Sequence, residues 1–321
     1  MVKQPGYSNR LFVFSFRCII ITSPKNRSMN LREQLIGTGV AIVTPFNGNE
    51  SVDFDALGKL IDFIIENGVE YVVTLGTTGE TPTLDKQEKI DIINFTIDKI
   101  NNRVPVVVGI GGNDTKEVVN NVKSYPLEKA VAVLSACPYY NKPSQEGIFL
   151  HYKAIAAASP KPIIVYNVPG RTGRNIDAAT TIRLAREVSN IGGIKEAGNN
   201  ISQCIQILKE RPDEFLVVSG DDDLVLPELA CGIDGVISVA ANCFPKDFSN
   251  MVRAGLKHDF TTAKKLNDSL LEVYSLLFTE NNPAGVKAFL YELGLIQNVL
   301  RLPVTPLSEP VHQKVKAYLN K

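Results

Sequence analysis

Between Ile36 and Ala254 the chain passes eight times through one cycle: a β-rich apolar run, a polar or glycine-rich break, then an amphipathic stretch with helical spacing. The runs are residues 39–45, 71–76, 104–110, 130–135, 163–167, 191–197, 215–220 and 235–240. They are almost continuous in apolar residues, the pattern of strands buried on both faces rather than strands with one wet face. Helices are predicted over 53–66, 85–100, 115–124, 144–158, 177–188, 201–210, 224–231 and 245–254. Several begin at an Asp, Ser or Thr cap, and the first stops at Asn67-Gly68. Eight strand–helix units within about 215 residues fit a closed α/β architecture, the (β/α)8 TIM barrel, whose usual length is about 250 residues. A doubly wound open sheet is the competing arrangement. It lacks support, because no G-x-G-x-x-G follows the first strand and Gly109-x-Gly111-Gly112 is only a partial match.

Beyond the repeat the pattern is helical throughout. Helices are expected over 260–279, 283–293 and 309–319, with Pro303 and Pro306 marking a connection. The expected organisation is therefore a barrel at 29–257 and a C-terminal all-helical appendage at 258–321, an element expected to support assembly rather than chemistry. Residues 1–28 stand apart: they contain no acidic residue, and their apolar stretch is interrupted by Arg17 and too short to cross a bilayer. A disordered extension is expected there, with the working protein starting near Met29. Lys+Arg and Asp+Glu both number 34, so no net charge draws nucleic acid or an anionic membrane. Five cysteines without a C-x-x-C point to a reducing, cytoplasmic setting, and three scattered histidines offer no zinc site.

In a barrel of this kind, chemistry sits at the carboxyl ends of the strands. The sixth run carries Lys195 on the same strand face as Gly193 and Ala197, two small neighbours that leave room beside the amine. Lysine is seldom buried without cause, and burial disfavours the ammonium, leaving an amine able to attack a carbonyl. The bland alternative is a strand-end lysine reaching solvent or pairing with Glu196. The second run ends in Gly76-Thr77-Thr78-Gly79-Glu80, whose hydroxyls and backbone amides can hold a carboxylate. The fifth ends in Tyr166, a possible proton donor or acceptor, followed by Arg171, whose planar fork suits a substrate carboxylate. Tyr139 and Tyr140 stand between prolines after the fourth run, where surface packing or a subunit contact explains them equally well. Gly220 ends the seventh run, and Ile237 offers an apolar wall in the eighth. Asp221, Asp222 and Asp223 invite a metal reading, but helix capping and loop solvation account for them, so no metal is expected. A lysine, a tyrosine, an arginine and a Thr-Thr turn on one rim describe a Schiff-base enzyme acting on a small keto acid.

GTTGE at 76–80, PYYNKPSQEG at 138–147, YNVPGRTG at 166–173, GIKEA at 193–197, SGDD at 219–222 and GVISV at 235–239 resemble the dihydrodipicolinate synthase family, in order and at its spacing. The similarity extends from about residue 35 to 319. It implies a Schiff-base lyase of lysine and diaminopimelate biosynthesis that condenses pyruvate with L-aspartate 4-semialdehyde without a cofactor. Carried over by motif, Lys195 forms the imine, and Thr77, Tyr140 and Tyr166 form a proton relay in which Tyr140 comes from the neighbouring subunit. Thr78 holds the pyruvate carboxylate, Arg171 receives the semialdehyde carboxylate, and the backbone near Gly220 and Ile237 lines the pocket. The resemblance also implies a homotetramer built as a dimer of dimers. Lysine-inhibited members bind lysine at positions matching Thr81, Pro82, Lys86, Lys89, Asn113, Glu117 and Tyr139. Here Lys86 and Lys89 put two cations beside a cationic ligand, so weak or absent inhibition is expected. N-acetylneuraminate lyases and keto-deoxy sugar acid aldolases share the barrel and the imine lysine and are the nearest rivals. Arg171-Thr172-Gly173 favours the synthase.

Overall fold

A computed structural model describes residues 1–2 and 30–321; the extension expected over 1–28 falls almost wholly outside the described residues. Eight parallel strands close into a barrel in sequence order, with β8 returning to pair with β1. They are β1 (Gly37–Ala41), β2 (Tyr71–Thr74), β3 (Val106–Gly109), β4 (Ala132–Ala136), β5 (Ile163–Asn167), β6 (Ile191–Glu196), β7 (Leu216–Ser219) and β8 (Gly235–Ser238). A short helix, α1 (Leu31–Gln34), precedes them. The connecting helices are α2 (Phe54–Glu66), α3 (Lys86–Ile100), α4 (Thr115–Ser124), α5 (Gln145–Ala158), the single turn α6 (Pro169–Thr172), α7 (Ala178–Glu187), α8 (Ile201–Glu210), α9 (Val225–Cys231) and α10 (Pro245–Leu256). Then follow α11 (Phe260–Phe278), α12 (Ala284–Glu292) and α13 (Glu309–Leu319).

Local chemistry explains these boundaries. Asp53, Asp85, Asp114, Ser144, Asn200 and Asp259 each accept a backbone N–H of the helix they begin, and Asp85 forms a capping box with Glu88. Gly68, at φ +91°, lets the chain leave α2 toward β2. Most strands end earlier than the apolar runs that predicted them. β1 stops at Ala41 although Ile42 and Val43 are fully buried, because hydrophobicity continues into the rim loops after ladder pairing has ended.

Alternate residues fill the barrel. Tyr71, Val73, Val107, Leu134, Ile164, Tyr166, Leu216, Val218 and Ile237 form one cluster inside the ring, separate from the larger core between strands and helices. Tyr71 occupies the space opposite Gly39, where a methyl group would lie 2.1 Å from its ring. Leu35 closes the amino-terminal end of this interior, and Leu31 packs over Gly192 beside it. At the same end, buried Asp234 accepts from Arg32 Nε at 2.8 Å, from the Arg211 guanidinium and from Val217 N at 2.9 Å. The C-terminal helices lie against the barrel, with α11 along α10 and α12 against α11 and α13.

Asp234 ties three separate segments together, so its removal leaves the nearly buried Arg211 guanidinium with only carbonyl acceptors and no counter-charge, and the buried Val217 amide without its acceptor. Asp234→Ala is expected to lower unfolding free energy by about 3 kcal/mol in urea titration. Asp98→Ala, which loses only an exposed contact to Lys129, should change it by less than about 0.5 kcal/mol. Equal effects from the two variants would refute this view of the barrel floor.

Candidate active site

The register of β5 and β6 sets Tyr166 beside Lys195, and that of β6 and β7 sets Val218 on the other side. All three face the barrel interior. Lys195 is 5% exposed, and its Nζ lies 4.4 Å from the centroid of the Tyr166 ring. An alkyl stem packed among apolar residues, with its amine over an aromatic face, is held in one direction: toward the mouth at the carboxyl end of the strands. Gly220 makes room for that stem. A methyl group there would sit 2.7 Å from Lys195 Cε and 2.6 Å from Ala197 Cβ, and Gly220 N donates to Glu196 O at 2.6 Å. The space at Gly193 is not open, contrary to expectation, because Leu216 fills it: a methyl on Gly193 would lie 2.7 Å from Leu216 Cβ. Room beside the amine therefore lies on its mouth side only.

Glu196 does not pair with Lys195. It projects from the other strand face, where its carboxylate accepts from Asn167 Nδ2 at 2.8 Å and Gln203 Nε2 at 3.1 Å. Burial pushes its pKa up to about 7 against the pull of those hydrogen bonds. Asp221 and Asp222 are both raised to about 6, chiefly by burial, and the positive charge of Lys195 acts on each in the opposite sense. Helix capping is not their explanation. The N-cap of α9 is Leu224, which makes no side-chain cap. Asp222 Oδ2 instead accepts Val239 N at 3.1 Å and Ala240 N at 2.7 Å, joining β7 to the turn after β8. Among the described residues no group of three or more His, Cys, Asp or Glu is placed to hold a metal ion.

The Thr-Thr turn follows β2 as a 3-10 turn over Thr77–Gly79. Two non-glycine residues in left-handed conformation bracket it, Leu75 at φ +56° and Glu80 at φ +52°. Such residues cost roughly 1–3 kcal/mol each and persist only where the surroundings hold them. Gly109 at the end of β3 lets the chain pass, since a methyl there would meet Leu75 O at 2.1 Å. Thr44 Oγ1 donates to Gly79 O at 2.7 Å, and Thr81 Oγ1 donates to Gly76 O at 2.9 Å. Thr77 is half-buried, while Thr78 is buried and its Oγ1 accepts from Asn282 Nδ2 at 2.9 Å.

Asn282 is the residue that sequence reasoning missed. It lies between α11 and α12, in the part expected to serve assembly, and its backbone oxygen accepts from Arg171 Nη2 at 3.4 Å. One buried residue thus touches both the Thr78 hydroxyl and the exposed arginine of α6. A lone Asn before Pro283 carries no signal of a partner 204 positions away. Ile237 is fully buried in the inner cluster. Tyr140 is different: at φ +70° in the loop after β4, it is 89% exposed, so a single chain does not pack it against Tyr166. Of the other rim residues, Asn113 Nδ2 donates to Tyr139 O at 3.1 Å, Lys86 opens α3, Glu117 lies in the first turn of α4, and Thr81 and Pro82 form a second 3-10 turn.

A buried amine, a phenol beside it, a hydroxyl turn and a guanidinium at the mouth form a set suited to imine chemistry on an anionic carbonyl compound. Residues 34–321 match the model of the dihydrodipicolinate synthetase family. A 4-hydroxy-tetrahydrodipicolinate synthase of Parabacteroides distasonis is 50% identical over 285 residues, covering 89% of this chain and 96% of that protein. One of Phocaeicola vulgatus is 49% identical, covering 90% and 98%. The crystal structure of dihydrodipicolinate synthase from Aquifex aeolicus superposes with a TM-score of 0.86 at 39% identity, over 89% of this chain and 97% of that one. This chain belongs to the dihydrodipicolinate synthetase family.

Proposed function

We propose that this chain condenses pyruvate with L-aspartate 4-semialdehyde to 4-hydroxy-tetrahydrodipicolinate, a step toward diaminopimelate and lysine. The observation that carries the reading is the Lys195 amine inside the barrel, 4.4 Å from the Tyr166 ring centroid and, among the described residues, without a carboxylate within salt-bridge distance. Lys195 attacks the keto carbon of pyruvate, water leaves, and an imine forms. Loss of a methyl proton gives the enamine, whose carbon adds to the aldehyde. The amino group of the semialdehyde then displaces Lys195 and closes the ring.

Thr78 holds the pyruvate carboxylate. Its hydroxyl oxygen already accepts from Asn282, so its own proton is free to point at the ligand. Tyr166 moves protons at the imine, linked through Thr77 to Tyr140 of a neighbouring subunit. The outward exposure of Tyr140 supports that loan, and with it an assembly of at least two chains; a homotetramer made as a dimer of dimers is the form proposed. Arg171 receives the carboxylate of the second substrate, and Gly220 and Ile237 line the pocket. The working unit is the barrel of 29–257 with the helices of 258–321 docked on it, residues 1–28 being an extension. The setting proposed is the cytoplasm; no helix among the described residues is long and apolar enough to cross a membrane. Lysine would meet Thr81, Pro82, Lys86, Lys89, Asn113, Glu117 and Tyr139, where the two lysine side chains oppose it.

Borohydride with pyruvate should add one reduced pyruvyl group to Lys195, seen by peptide mass mapping, and Lys195→Ala should neither gain it nor turn over. Label on another lysine, or cleavage of sialic acid in place of condensation, would overturn the reading. Removing one hydroxyl by Tyr166→Phe should lower kcat by roughly 10²–10⁴-fold, the usual worth of a positioned proton donor; a loss below tenfold would exclude Tyr166 from proton transfer. L-Lysine at sub-millimolar concentration should leave the steady-state rate nearly unchanged, and strong inhibition there would show that Lys86 and Lys89 do not repel it.

A further inference from the structure

The Thr77–Gly79 turn is held in place from behind by charge. Glu80, which closes the turn in left-handed conformation, points its carboxylate away from the mouth into the body of the protein, where it is 3% exposed. There it forms an ion pair with Lys287 of α12, whose side chain is fully buried. Its second oxygen accepts Arg301 N at 3.1 Å. The Lys287 ammonium also donates to Val299 O at 2.9 Å and lies 4.1 Å from the centroid of the Phe46 ring. Arg301 packs on the same ring at 4.4 Å, and its guanidinium is held by Glu88 of α3. Among the described residues both partners of the Glu80 carboxylate thus come from the C-terminal helices and their connection, 207 and 221 positions along the chain.

Breaking a buried ion pair by removing one partner is strongly destabilising, whereas replacing both by apolar residues is often neutral for stability. Such a pair adds little net stability and acts through what it specifies. What it specifies here is the direction of the two hydroxyls, on Thr77 and Thr78, three and two residues earlier. Nothing apolar would oblige residue 80 to stay left-handed, because its conformation is strained unless an anchor holds it.

We infer that Glu80 and Lys287 are positioning residues: their buried ion pair pins the turn that presents Thr77 and Thr78, so the barrel's keto-acid subsite is shaped by its C-terminal helices. This rests on the proposed use of that turn for the pyruvate carboxylate. Neither side chain touches substrate. Both act through the turn, Glu80 as the anchored end and Lys287 as the anchor. Burial lowers the Lys287 pKa to about 8, with Glu80 opposing the shift, as expected of a cation held by one specific partner.

The test separates shape from stability. The pyruvate concentration giving half-maximal borohydride trapping on Lys195 is measured by intact mass spectrometry, with melting temperature recorded for each protein. The proteins are wild type, Glu80→Gln, Lys287→Met and the double variant Glu80→Met with Lys287→Met, all at a temperature where circular dichroism shows them folded. The double variant should melt above Lys287→Met, which leaves Glu80 buried and unpaired, yet need about tenfold more pyruvate than wild type or above, since small misplacements of a binding group cost up to ~10²-fold. Glu80→Gln keeps the side-chain shape and should show the same rise, so the test stands if the apolar pair folds poorly. A half-point equal to wild type in folded Glu80→Gln or in the double variant overturns the inference. Wild-type protein that forms no adduct removes the functional reading itself, and this inference with it.

Discussion

One side chain sets the terms for the rest of the molecule: a lysine placed inside a closed ring of strands. A barrel interior filled by tyrosine, valine, leucine and isoleucine offers an ammonium little solvation, and the layers below Lys195 are full down to Leu35. The amine has one way out, toward the mouth. Gly220 is glycine because the stem passes within contact distance of it, and Glu196 turns to the opposite face, where amides rather than Lys195 satisfy it. The two aspartates after β7 bring negative charge near the amine without reaching it, one of them tied to backbone amides beyond β8. A ketone entering the mouth meets an amine with nowhere else to go.

The carboxyl rim divides its work between rigid and adaptable parts. Lys195, Tyr166 and Ile237 stand on strands, fixed by ladder register and interior packing. Thr77 and Thr78 stand on a turn whose left-handed ends are held by hydrogen bonds and by contacts from the far end of the chain. Arg171 and Tyr140 stand furthest out, exposed, where a second substrate or a second chain would approach. The residues proposed to act on pyruvate are buried or half-buried, and those proposed for the second substrate and the second chain are exposed.

Much of this was legible in the chain because burial on both faces of a strand leaves a plain signature. The eight apolar runs, the capped helices between them and the lysine, tyrosine and Thr-Thr turn at their ends could be read before any coordinate was known. Three things could not. Strand ends were overestimated, as at Ala41, because apolar character outlasts hydrogen-bond pairing. Asp222 read as a helix cap, since local spacing cannot reveal that its partners are the amides of Val239 and Ala240 in the turn after β8. Asn282 and Lys287 read as part of an assembly element, because contacts joining the last quarter of the chain to the turn after the second strand leave no periodic trace. The helical C-terminus is an integral support of the rim, although its pattern alone resembles any amphipathic addition.

A crystal structure of the protein soaked in pyruvate tests the central claim most directly. The account predicts continuous density from Lys195 Nζ to the former keto carbon, with the carboxylate of the adduct against Thr78 and the Tyr166 hydroxyl turned toward the new bond. Pyruvate bound away from an unmodified Lys195, or a Lys195 side chain directed out of the barrel into solvent, would contradict it.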